Sequence, residues 1–535
     1  MSRFLTTVLV VFIYAVGVDP ARILGVYPMP SISHQVVFRA LTLELVKRGH
    51  EVVAITPNPV FKNKESPKNL TEIDTSESYK LLQLMFMDKD AMKLMKRGVI
   101  ADADAVTENT FFELTNIFDF SEVKQLIADK NQKFDLIIME GLTYAPLIFS
   151  KIYDAPVILF SSLYGTATNY ETIGAAARHP LLHPYMFRNK YKNLGFIEQI
   201  KQLYMEYKLW KYDVRCEIEE NLFLKSRFGP DAPTVAELKK NVALLLVNAH
   251  PIFDGNRPVP PGTVYLGGLH LQPTNELPED LKSYLDNSTR GVVYVSLGTN
   301  VRPSMMEKDL LDAFLGAFEK IPYDILWKFD GDNLDRVPKN VKIQKWFPQR
   351  DLLGHRNIKL FVMQGGLQST DEAIEAEVPL VGIPMLGDQW YNVNKYVELG
   401  IGAEVDSLTM VAEDLVKAVD TVANDPSYKK NIKKLKAVMK DQPEKPIDRA
   451  VWWIEHVLRH KGSRHLLGAS ANMSWSDYLM LNVAAPLAVI SAILVVFALI
   501  SIFYVVNLMV SFKSIVKIKH NRVRFTLWVR NPKNV

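Results

Sequence analysis

The chain has 535 residues, of which 48% are hydrophobic and 23% are charged. This length exceeds what a single hydrophobic core accommodates, and it predicts two domains with further segments attached. The formal net charge is +4, but residues 513–535 hold seven Lys or Arg and no Asp or Glu, so the rest of the chain carries −3 and gives no case for nucleic-acid binding. The lone cysteine, Cys216, excludes an internal disulfide and a thiol metal cluster.

The N-terminus has the pattern of a secretory signal peptide. Arg3 precedes an apolar run over residues 4–16, and small residues follow at Ala15, Gly17 and Ala21. The run is too short to cross a bilayer, so we expect residues 1–21 to be removed during secretion.

A strand, a helix and a second strand are predicted next. Residues 22–27 and 51–56 have strand character, and Ser33 is a candidate N-cap for a helix from His34 to about Arg48. His34 therefore begins a helix, where the positive end of the helix dipole disfavours imidazolium and keeps the ring a neutral base. By position alone, such a histidine is more often structural than catalytic.

Two further strands are predicted to end in polar residues. Residues 136–138 form a short apolar run that Glu140 follows closely, and Asp135 stands at its entry. A Val-rich run from residue 291 leads into Ser296, Gly298 and Thr299. A polar loop after a strand is the context in which doubly wound sheets bind ligands.

Residues 358–376 have the pattern of a phosphate site. Residues 358–362 predict a strand, Gly365 and Gly366 permit close backbone approach, and Ser369 begins a predicted helix through Ala376. Exposed N–H groups and the dipole at a helix start favour a pyrophosphate.

Other residues in the same stretch suit the remaining parts of a nucleotide sugar. Trp346 offers a flat face for a base and Gln349 an amide for its edge. Glu372 suits two ribose hydroxyls. Asp388 and Gln389, which follow a strand-like run over residues 379–384, suit sugar hydroxyls.

This ordered set closely resembles the donor-site motif of the UDP-glycosyltransferase family, in which W-x-P-Q, H-G-G-x-x-S-x-x-E and D-Q occur at this spacing. The segments 245–268, 291–299, 325–329 and 448–462 also look like family segments, so the resemblance covers essentially the whole chain. It implies that Trp346 stacks on uracil, that Gln349 and Glu372 contact base or ribose, and that Asp388 and Gln389 hold the sugar. The resemblance assigns the phosphate contacts to Ser296, Gly298, Thr299, Gly366 and Ser369.

The resemblance also implies a catalytic base. The family motif S-x-S-H is matched by residues 31–34, which makes His34 the general base that takes a proton from the acceptor hydroxyl. The family usually supplies an Asp after a later strand to orient this histidine, and Glu140 stands there, with Asp135 as a structural alternative. A second departure is Gln364, where the family has a His beside the pyrophosphate. Glutamine keeps an N–H donor but cannot carry charge.

The C-terminal region predicts a membrane anchor. No charged side chain lies between Asp477 and Lys513, and residues 483–510 form an apolar segment long enough to cross a bilayer. The basic tail, residues 511–535, is expected in the cytosol, which makes the chain a single-pass type I protein with its catalytic domains in the lumen, most simply in the endoplasmic reticulum membrane. Sequons at Asn69, Asn287 and Asn472 all fall on that side.

No metal and no cofactor are expected. Two D-x-D patterns, at residues 102–104 and 330–332, match the metal signature of a different glycosyltransferase fold and are interpreted as chance. The inferred pyrophosphate site uses a helix start instead of a cation.

The predicted fold is α/β, with two Rossmann-like domains facing across a cleft, the GT-B type of the family, followed by one transmembrane helix. The acceptor domain spans 22–270, a linker 271–290, and the UDP-sugar domain 291–447. A return helix and juxtamembrane segment, 448–477, is expected to pack on the first domain. Met85, Met87, Phe111 and Phe112 either line the acceptor pocket or belong to the core.

The predicted function is inverting transfer of a hexose, most simply glucose from UDP-glucose, to a hydroxyl of a small lipophilic acceptor. Two alternatives stay open. One is glucuronosyl transfer by the same mechanism. The other is a catalytically weak, membrane-anchored binding protein for lipophilic ligands or UDP-sugar. Association of copies through the membrane helix is compatible with the sequence.

Overall fold

The computed structural model describes residues 19–62, 65–80, 114–188, 191–332, 334 and 336–530. The predicted signal peptide and the four candidate pocket residues between 85 and 112 therefore lie outside the described residues. The chain divides into two compact units, of which the first ends at Asn472 and the second begins at Met473.

Two parallel sheets form the first unit. The first has the strand order β3-β2-β1-β4-β5-β6-β7, and the second has β10-β9-β8-β11-β12-β13. In both, the order reverses after the first strand of the sheet, which is the doubly wound arrangement and confirms the two predicted Rossmann-like domains. The strands are β1 Arg22–Val26, β2 Glu51–Thr56, β3 Leu70–Asp74, β4 Leu136–Glu140, β5 Val157–Ser161, β6 Val242–Val247, β7 Thr263–Tyr265, β8 Val292–Ser296, β9 Asp324–Lys328, β10 Val341–Gln344, β11 Ile358–Met363, β12 Leu380–Gly382 and β13 Gly402–Glu404.

Most central strands are apolar up to their carboxyl ends because helices cover both faces of each sheet. Strands β4, β5, β6 and β8 are buried at every position. The α-helices are α1 Ile32–Lys47, α2 Ser121–Ala128, α3 Ile148–Tyr153, α4 Ala167–Ile173, α5 Phe196–Phe228, α6 Val235–Leu238, α7 Glu279–Asn287, α8 Lys308–Lys320, α9 Gln349–Leu353, α10 Leu367–Glu375, α11 Gln389–Leu399, α12 Ala412–Asn424, α13 Pro426–Lys440, α14 Pro446–His460, α15 Trp475–Tyr478 and α16 Leu481–Arg530.

Helix α14 returns the chain from the second sheet to the first. Its buried residues Ala450, Val451, Ile454 and Val457 share a hydrophobic cluster with α1 and with strands of the first sheet. Asp448 accepts a hydrogen bond from Arg48 Nη2 at 2.8 Å. The C-terminal part of the first unit therefore stabilises the lobe in which the chain began.

Several predicted boundaries differ from the structure. Helix α1 begins at Ile32 after the N-cap Ser31, so Ser33 lies in its first turn instead of capping it. Helix α10 begins at Leu367 because Gly366 already has the extended N-cap conformation, so Ser369 is its third residue. The side chain of Ser31 makes no cap, and Gly366 has no side chain to make one. Without that signal, both helix starts were predicted two residues too late.

Two other segments also differ from the prediction. Glu140 is the last residue of β4 and does not follow the strand. Within the predicted linker, residues 279–287 form helix α7.

The second unit contains α15 and the long helix α16. Residues 481–523 of α16 are the candidate membrane span among the described residues, by length and composition. The helix extends beyond the predicted segment 483–510 at both ends and contains Pro486.

Candidate functional site

Polar residues stand at the carboxyl ends of parallel strands in both sheets. In the first sheet, Glu140 ends β4, and Ser162 follows β5. In the second, Ser296 ends β8, and Gln364 follows β11. Carboxyl ends of parallel strands meet at one edge of a sheet, where open α/β sheets bind their ligands.

His34 and Glu140 form a buried pair. His34 Nδ1 lies 2.6 Å from Glu140 Oε1, and the two residues are 8% and 0% exposed. The other carboxylate oxygen, Oε2, accepts a hydrogen bond from Met29 N at 3.1 Å, so both oxygens of Glu140 are fixed. The charged carboxylate holds the ring hydrogen on Nδ1, which leaves the lone pair on Nε2.

Ser162 also contacts this histidine. Its Oγ lies 2.8 Å from His34 Nδ1, although the two residues are 128 positions apart. The structural alternative, Asp135, is bound elsewhere, because its Oδ2 accepts a hydrogen bond from Arg22 N at 2.8 Å. The acid beside His34 is therefore Glu140, and the extra methylene relative to Asp does not prevent the contact.

The start of α10 faces a loop with little room for side chains. Gly366 is the N-cap, and Gly365 has φ +98° with Val393 packed against it. Opposite, Gly298 has φ +78°, and a Cβ there would stand 2.2 Å from Gln364 Nε2. Gln364 Oε1 is buried and has no hydrogen-bond partner in the structure. The backbone N–H groups at the helix start and the Gln364 amide thus border one narrow space.

Gln349, Ser369 and Glu372 form one hydrogen-bonded group. Gln349 Nε2 donates to Ser369 Oγ at 2.9 Å and to Glu372 Oε2 at 2.7 Å. Its Oε1 accepts from Tyr294 OH at 3.3 Å. Burial raises the pKa of Glu372, and the Gln349 hydrogen bond opposes that shift. The sequence predicted a separate ligand contact for each of these side chains, whereas the structure shows that they are hydrogen-bonded to one another.

Trp346 is 61% exposed, which is unusual for so large an apolar ring. Lys328, the last residue of β9, holds its Nζ 4.4 Å from the centre of that ring and donates to Gly298 O at 2.8 Å. Burial lowers the pKa of the Lys328 ammonium to about 8, and the neighbouring Asp330 opposes the shift. A partly desolvated cation therefore connects the exposed ring with the Gly298 loop.

Asp388 and Gln389 lie at the start of α11. Asp388 Oδ2 accepts from Asn392 Nδ2 at 2.8 Å, and Gln389 Oε1 accepts from Met385 N and Leu386 N, each at 2.8 Å. Burial raises the pKa of Asp388 to about 6, while the hydrogen bond from Asn392 and, when it is protonated, the His34 ring oppose the shift. Asp388 of the second lobe is thus close enough to interact electrostatically with His34 of the first.

Side-chain hydrogen bonds join the lobes around this site. Gln368 Nε2 donates to Ser162 O at 3.0 Å, and Tyr164 OH donates to Asn392 Oδ1 at 2.6 Å. Asn300 Nδ2 donates to Ser31 Oγ at 3.1 Å. The site therefore lies in a cleft whose two walls come from different sheets.

Sequence reasoning missed five residues with defined positions in this cleft: Ser162, Lys328, Gln368, Asn300 and Asn392. A signal existed for Ser162 and Lys328, because each stands at the carboxyl end of a strand. Gln368, Asn300 and Asn392 act through contacts between distant segments, which no local pattern shows. Ser296 is the buried last residue of β8 and does not follow the strand as predicted, whereas Thr299 is half-buried in the loop after β8.

The three sequons differ in their surroundings. Asn287 and Asn472 are exposed. Asn69 is half-buried, and its Nδ2 donates to Val46 O at 2.9 Å and to His50 O at 2.8 Å. Modification of Asn69 would have to precede folding, because both amide hydrogens are bound in the folded chain.

One of the two D-x-D patterns lies within the described residues. Its acids are engaged locally, since Asp330 accepts from Ser304 N and Oγ, and Asp332 pairs with Lys345 Nζ at 2.5 Å. Over the part of the chain that the structure describes, no group of three His, Cys, Asp or Glu is arranged to hold a metal ion. The other pattern, residues 102–104, lies outside the described residues.

Sequence comparison identifies relatives over almost the whole chain. The family model described as UDP-glucoronosyl and UDP-glucosyl transferase matches residues 22–521. An ecdysteroid UDP-glucosyltransferase of Spodoptera littoralis nuclear polyhedrosis virus is 42% identical over 486 residues, which are 88% of this chain and 94% of that protein. UDP-glucosyltransferase 2 of Dactylopius coccus is 33% identical, over 88% of this chain and 90% of that protein.

Solved structures share the fold at low sequence identity. UDP-glucose: anthocyanidin 3-O-glucosyltransferase in complex with UDP is 16% identical with a TM-score of 0.54, covering 82% of this chain and 99% of that one. Glycosyltransferase VinC in complex with DTDP is 17% identical with a TM-score of 0.52, covering 82% of this chain and 100% of that one. At this identity, the likeness concerns the arrangement of the two sheets.

Proposed function

Because this chain belongs to the family of UDP-glucuronosyl and UDP-glucosyl transferases, and transfers glucosyl groups to small acceptors, we propose that His34 is its catalytic base and that the acceptors are lipophilic alcohols of the steroid class. The observation that carries the proposal is the buried contact of His34 Nδ1 with Glu140 Oε1 at 2.6 Å. The names of the viral relatives support a steroid acceptor.

The proposed reaction uses the His34–Glu140 pair as general base and stabilising carboxylate. Nε2 of His34 removes the proton of the acceptor hydroxyl as that oxygen bonds to C1 of glucose. The bond from C1 to the diphosphate oxygen breaks on the opposite face, so the anomeric centre inverts and UDP leaves. The imidazolium that forms is stabilised by the Glu140 carboxylate, which also keeps the ring in its orientation.

The second lobe supplies the donor site. The N–H groups at the start of α10, the loop of Ser296, Gly298 and Thr299, and the Gln364 amide are proposed to bind the diphosphate, with the Ser369 hydroxyl. Trp346 stacks on uracil, while Gln349 and Glu372 hold the ribose. Asp388 and Gln389 bind glucose hydroxyls. The proposal needs no metal, because the helix start and Lys328 supply the positive potential.

The first experiment separates this function from its alternatives. Microsomes containing the full chain are supplied with UDP-glucose or UDP-glucuronate and a panel of ecdysteroids, phenols and flavonoids, and glycoside is quantified. We expect glucosides of steroid hydroxyls, unchanged by EDTA. The His34→Ala variant should lower turnover by a factor of about 10²–10⁴ while UDP binding is kept. Retained turnover in His34→Ala would remove the base assignment.

Two other outcomes of that experiment would point elsewhere. Glucuronides alone would favour the glucuronosyl alternative, since nothing in the Asp388 and Gln389 contacts selects glucose. UDP binding without any product over the whole panel would favour the binding-protein alternative.

We also propose that α16 anchors the chain as a type I protein, with the cleft in the lumen of the endoplasmic reticulum. The apolar length of α16 and the basic residues at its C-terminal end support this orientation. Protease protection of the catalytic part in sealed microsomes, with glycans on the exposed Asn287 and Asn472, is the expected result. Digestion of that part in sealed microsomes would contradict the orientation.

A further inference from the structure

The loop after β5 connects the proposed base with the second lobe through one residue, Ser162. Its hydroxyl oxygen lies 2.8 Å from Nδ1 of His34. Its carbonyl oxygen accepts a hydrogen bond from Gln368 Nε2 at 3.0 Å, although the two residues are 206 positions apart. Ser162 and Gln368 are both buried, so water competes little for these contacts. Ser162 therefore contacts the His34 ring with its side chain and the second lobe with its backbone.

Gln368 stands at the start of helix α10, where the diphosphate is proposed to bind. It is the second residue of that helix, and Ser369, a proposed diphosphate contact, is the next one. The carbonyl oxygen of Gln368 accepts a hydrogen bond from His270 Nε2 at 3.2 Å. The side chain and the carbonyl group of Gln368 are thus both bound to the first lobe. The position of the helix start is therefore linked to the position of Ser162.

The Ser162 carbonyl has a second partner within the first lobe. Asn248, which follows β6, donates from Nδ2 to Ser162 O at 3.0 Å. Its backbone N donates to Ser161 O at 2.9 Å. The Ser162 carbonyl therefore keeps a hydrogen bond when Gln368 is replaced. A replacement of Gln368 is expected to remove the connection between the lobes at this point and to preserve the fold of the loop.

A similar contact lies at the start of α1, the helix that carries His34. The N-cap Ser31 does not cap this helix with its side chain. Its Oγ accepts a hydrogen bond from Asn300 Nδ2 at 3.1 Å instead. Asn300 follows Thr299, another proposed diphosphate contact, in the loop after β8. The two first-lobe segments that carry or contact the proposed base are thus both bound to segments proposed to hold the diphosphate.

We infer that Ser162 and Gln368 are positioning residues that couple the start of α10 to the orientation of the His34 ring. The inference rests on the proposed function of His34 as the base. A diphosphate at the start of α10 favours the helix position in which Gln368 reaches Ser162 O. The Ser162 hydroxyl then holds the ring beside Glu140. Binding of the donor therefore favours the ring orientation that the reaction needs.

The test compares the kinetics of full-chain variants in microsomes. Gln368→Met keeps the length of the side chain but cannot donate to Ser162 O. Its kcat is expected to fall by a factor of about 10–10², because a misoriented base slows the chemical step, while KM for UDP-glucose stays within about a factor of two. Ser162→Ala should lower kcat to a similar extent. Ser162→Thr keeps the hydroxyl group and should retain more turnover than Ser162→Ala.

A double variant tests whether the two residues act together. If Gln368 acts through the Ser162 hydroxyl, the chain with both Gln368→Met and Ser162→Ala should have about the same kcat as Ser162→Ala alone. Independent effects would multiply and lower kcat by about 10²–10⁴. Such multiplication would overturn the coupling. A rise in KM with unchanged kcat in Gln368→Met would also overturn it, because Gln368 would then be a donor contact.

Tyr391→Phe is the matched control for contacts between the lobes. It removes a hydrogen bond of 2.9 Å from Tyr391 OH, on α11, to the first-lobe carbonyl of Phe253, a bond that does not involve the Ser162 loop. Its kcat should equal that of the unmodified chain. Equal losses of kcat in Tyr391→Phe and Gln368→Met would show that lobe contact in general controls turnover, which would overturn the path through Ser162. UDP binding by each variant reports that it is folded.

The His34→Ala variant distinguishes failure of this coupling from failure of the proposed function. Loss of turnover in His34→Ala together with full kcat in Gln368→Met would overturn the coupling and leave the base assignment in place. Retained turnover in His34→Ala would remove the base assignment and the coupling with it.

Discussion

A histidine acts as a directional base only when its other ring nitrogen is engaged, and here two groups engage it. Glu140 Oε1 and Ser162 Oγ both lie within 2.8 Å of His34 Nδ1. Glu140 is wholly buried, so its charge is little screened by solvent. Orientation of the proposed base thus depends on two side chains that come from β4 and from the loop after β5.

Two replacements of Glu140 distinguish the effect of its negative charge from the effect of its size. Glu140→Gln keeps the size but removes the carboxylate that stabilises the imidazolium, so kcat should fall by a factor of about 10²–10⁴, with little change in KM for UDP-glucose. Glu140→Asp keeps the charge, so it should retain more turnover than Glu140→Gln. Steady-state kinetics of the two variants test this. Equal kcat values for Glu140→Gln and the unmodified chain would show that the pair is structural.

We expect Lys328 to make the affinity for the donor depend on pH. Its pKa is lowered to about 8 by burial, so the ammonium loses its proton as pH rises through about 8, and a cation near the Gly298 loop is lost. We expect KM for UDP-glucose to rise several-fold between pH 7 and pH 9. Lys328→Met should have the higher KM throughout and a flatter profile.

A surface lysine provides the control for this profile. Lys345→Met removes a lysine whose side chain is 65% exposed and should leave the rise in KM intact. A pH profile of KM that is the same in Lys328→Met and in the unmodified chain would contradict the role of Lys328.

Two sides of the first two turns of helix α10 make different sets of contacts. Ser369 and Glu372, three residues apart, share one side and bind Gln349. Gln368 and Asp371, also three apart, share another side and contact the first lobe, through Ser162 O and through Gly268 N at 3.1 Å. One helix therefore carries both proposed donor-site residues and residues that hold the lobes together.

Asp371 makes the stability of this helix contact depend on pH. Burial raises its pKa to about 8, and the hydrogen bond from Gly268 N opposes the shift. The folded chain keeps a proton that the unfolded chain releases near pH 4, so folding loses stability as pH rises from about 4 to about 8. Asp371→Asn has no such loss. The difference in unfolding free energy between the variant and the unmodified chain should therefore grow, in favour of the variant, as pH rises. It should grow by up to about 1.4 kcal/mol per pH unit across that window.

Denaturant unfolding of Asp371→Asn at pH 5 and pH 8 measures this difference. Asp309→Asn, at an exposed position of the same lobe, serves as the control and should show no growing gain. A gain for Asp371→Asn that is the same at both values of pH would contradict the assignment.

The accuracy of the sequence predictions differed between elements for a physical reason. Strands such as β2 and β11 were located within one residue, because buried parallel strands are continuous apolar runs bounded by polar residues. The starts of α1 and α10 were placed too late, since their N-caps, Ser31 and Gly366, make no side-chain cap. Local chemistry locates an element well where burial dictates its composition, and poorly where only the backbone conformation marks its end.

At the scale of the whole molecule, contacts between the lobes support the proposed sugar site. Tyr164 OH of the first lobe donates to Asn392 Oδ1, and Asn392 Nδ2 donates to Asp388 Oδ2 and to Gly365 O. Asn392 is fully buried. The position of Asp388 therefore depends on a tyrosine from the other sheet.

Tyr164→Phe should weaken donor binding indirectly, through Asn392 and Asp388. It leaves Asn392 Oδ1 unpaired in a buried position, at a cost of about 1–3 kcal/mol, and KM for UDP-glucose should rise by about tenfold or more. Tyr153→Phe, which removes a 3.0 Å bond to Leu126 O inside the first lobe, is the matched control and should leave KM unchanged. Equal KM values in the two variants would show that the inter-lobe contact does not support the donor site.

The sequence by itself determined the class of fold and the family, and it supplied the proposed donor-site residues and the proposed base His34, because each depends on a local pattern of burial or on an ordered motif. The tertiary structure decided that Glu140 and not Asp135 meets His34, and that Ser162, Lys328, Gln368 and Asn392 join the cleft. These contacts link residues up to 228 positions apart. Distances between side chains of different strands arise only when the sheets assemble, so no local spacing in the chain encodes them.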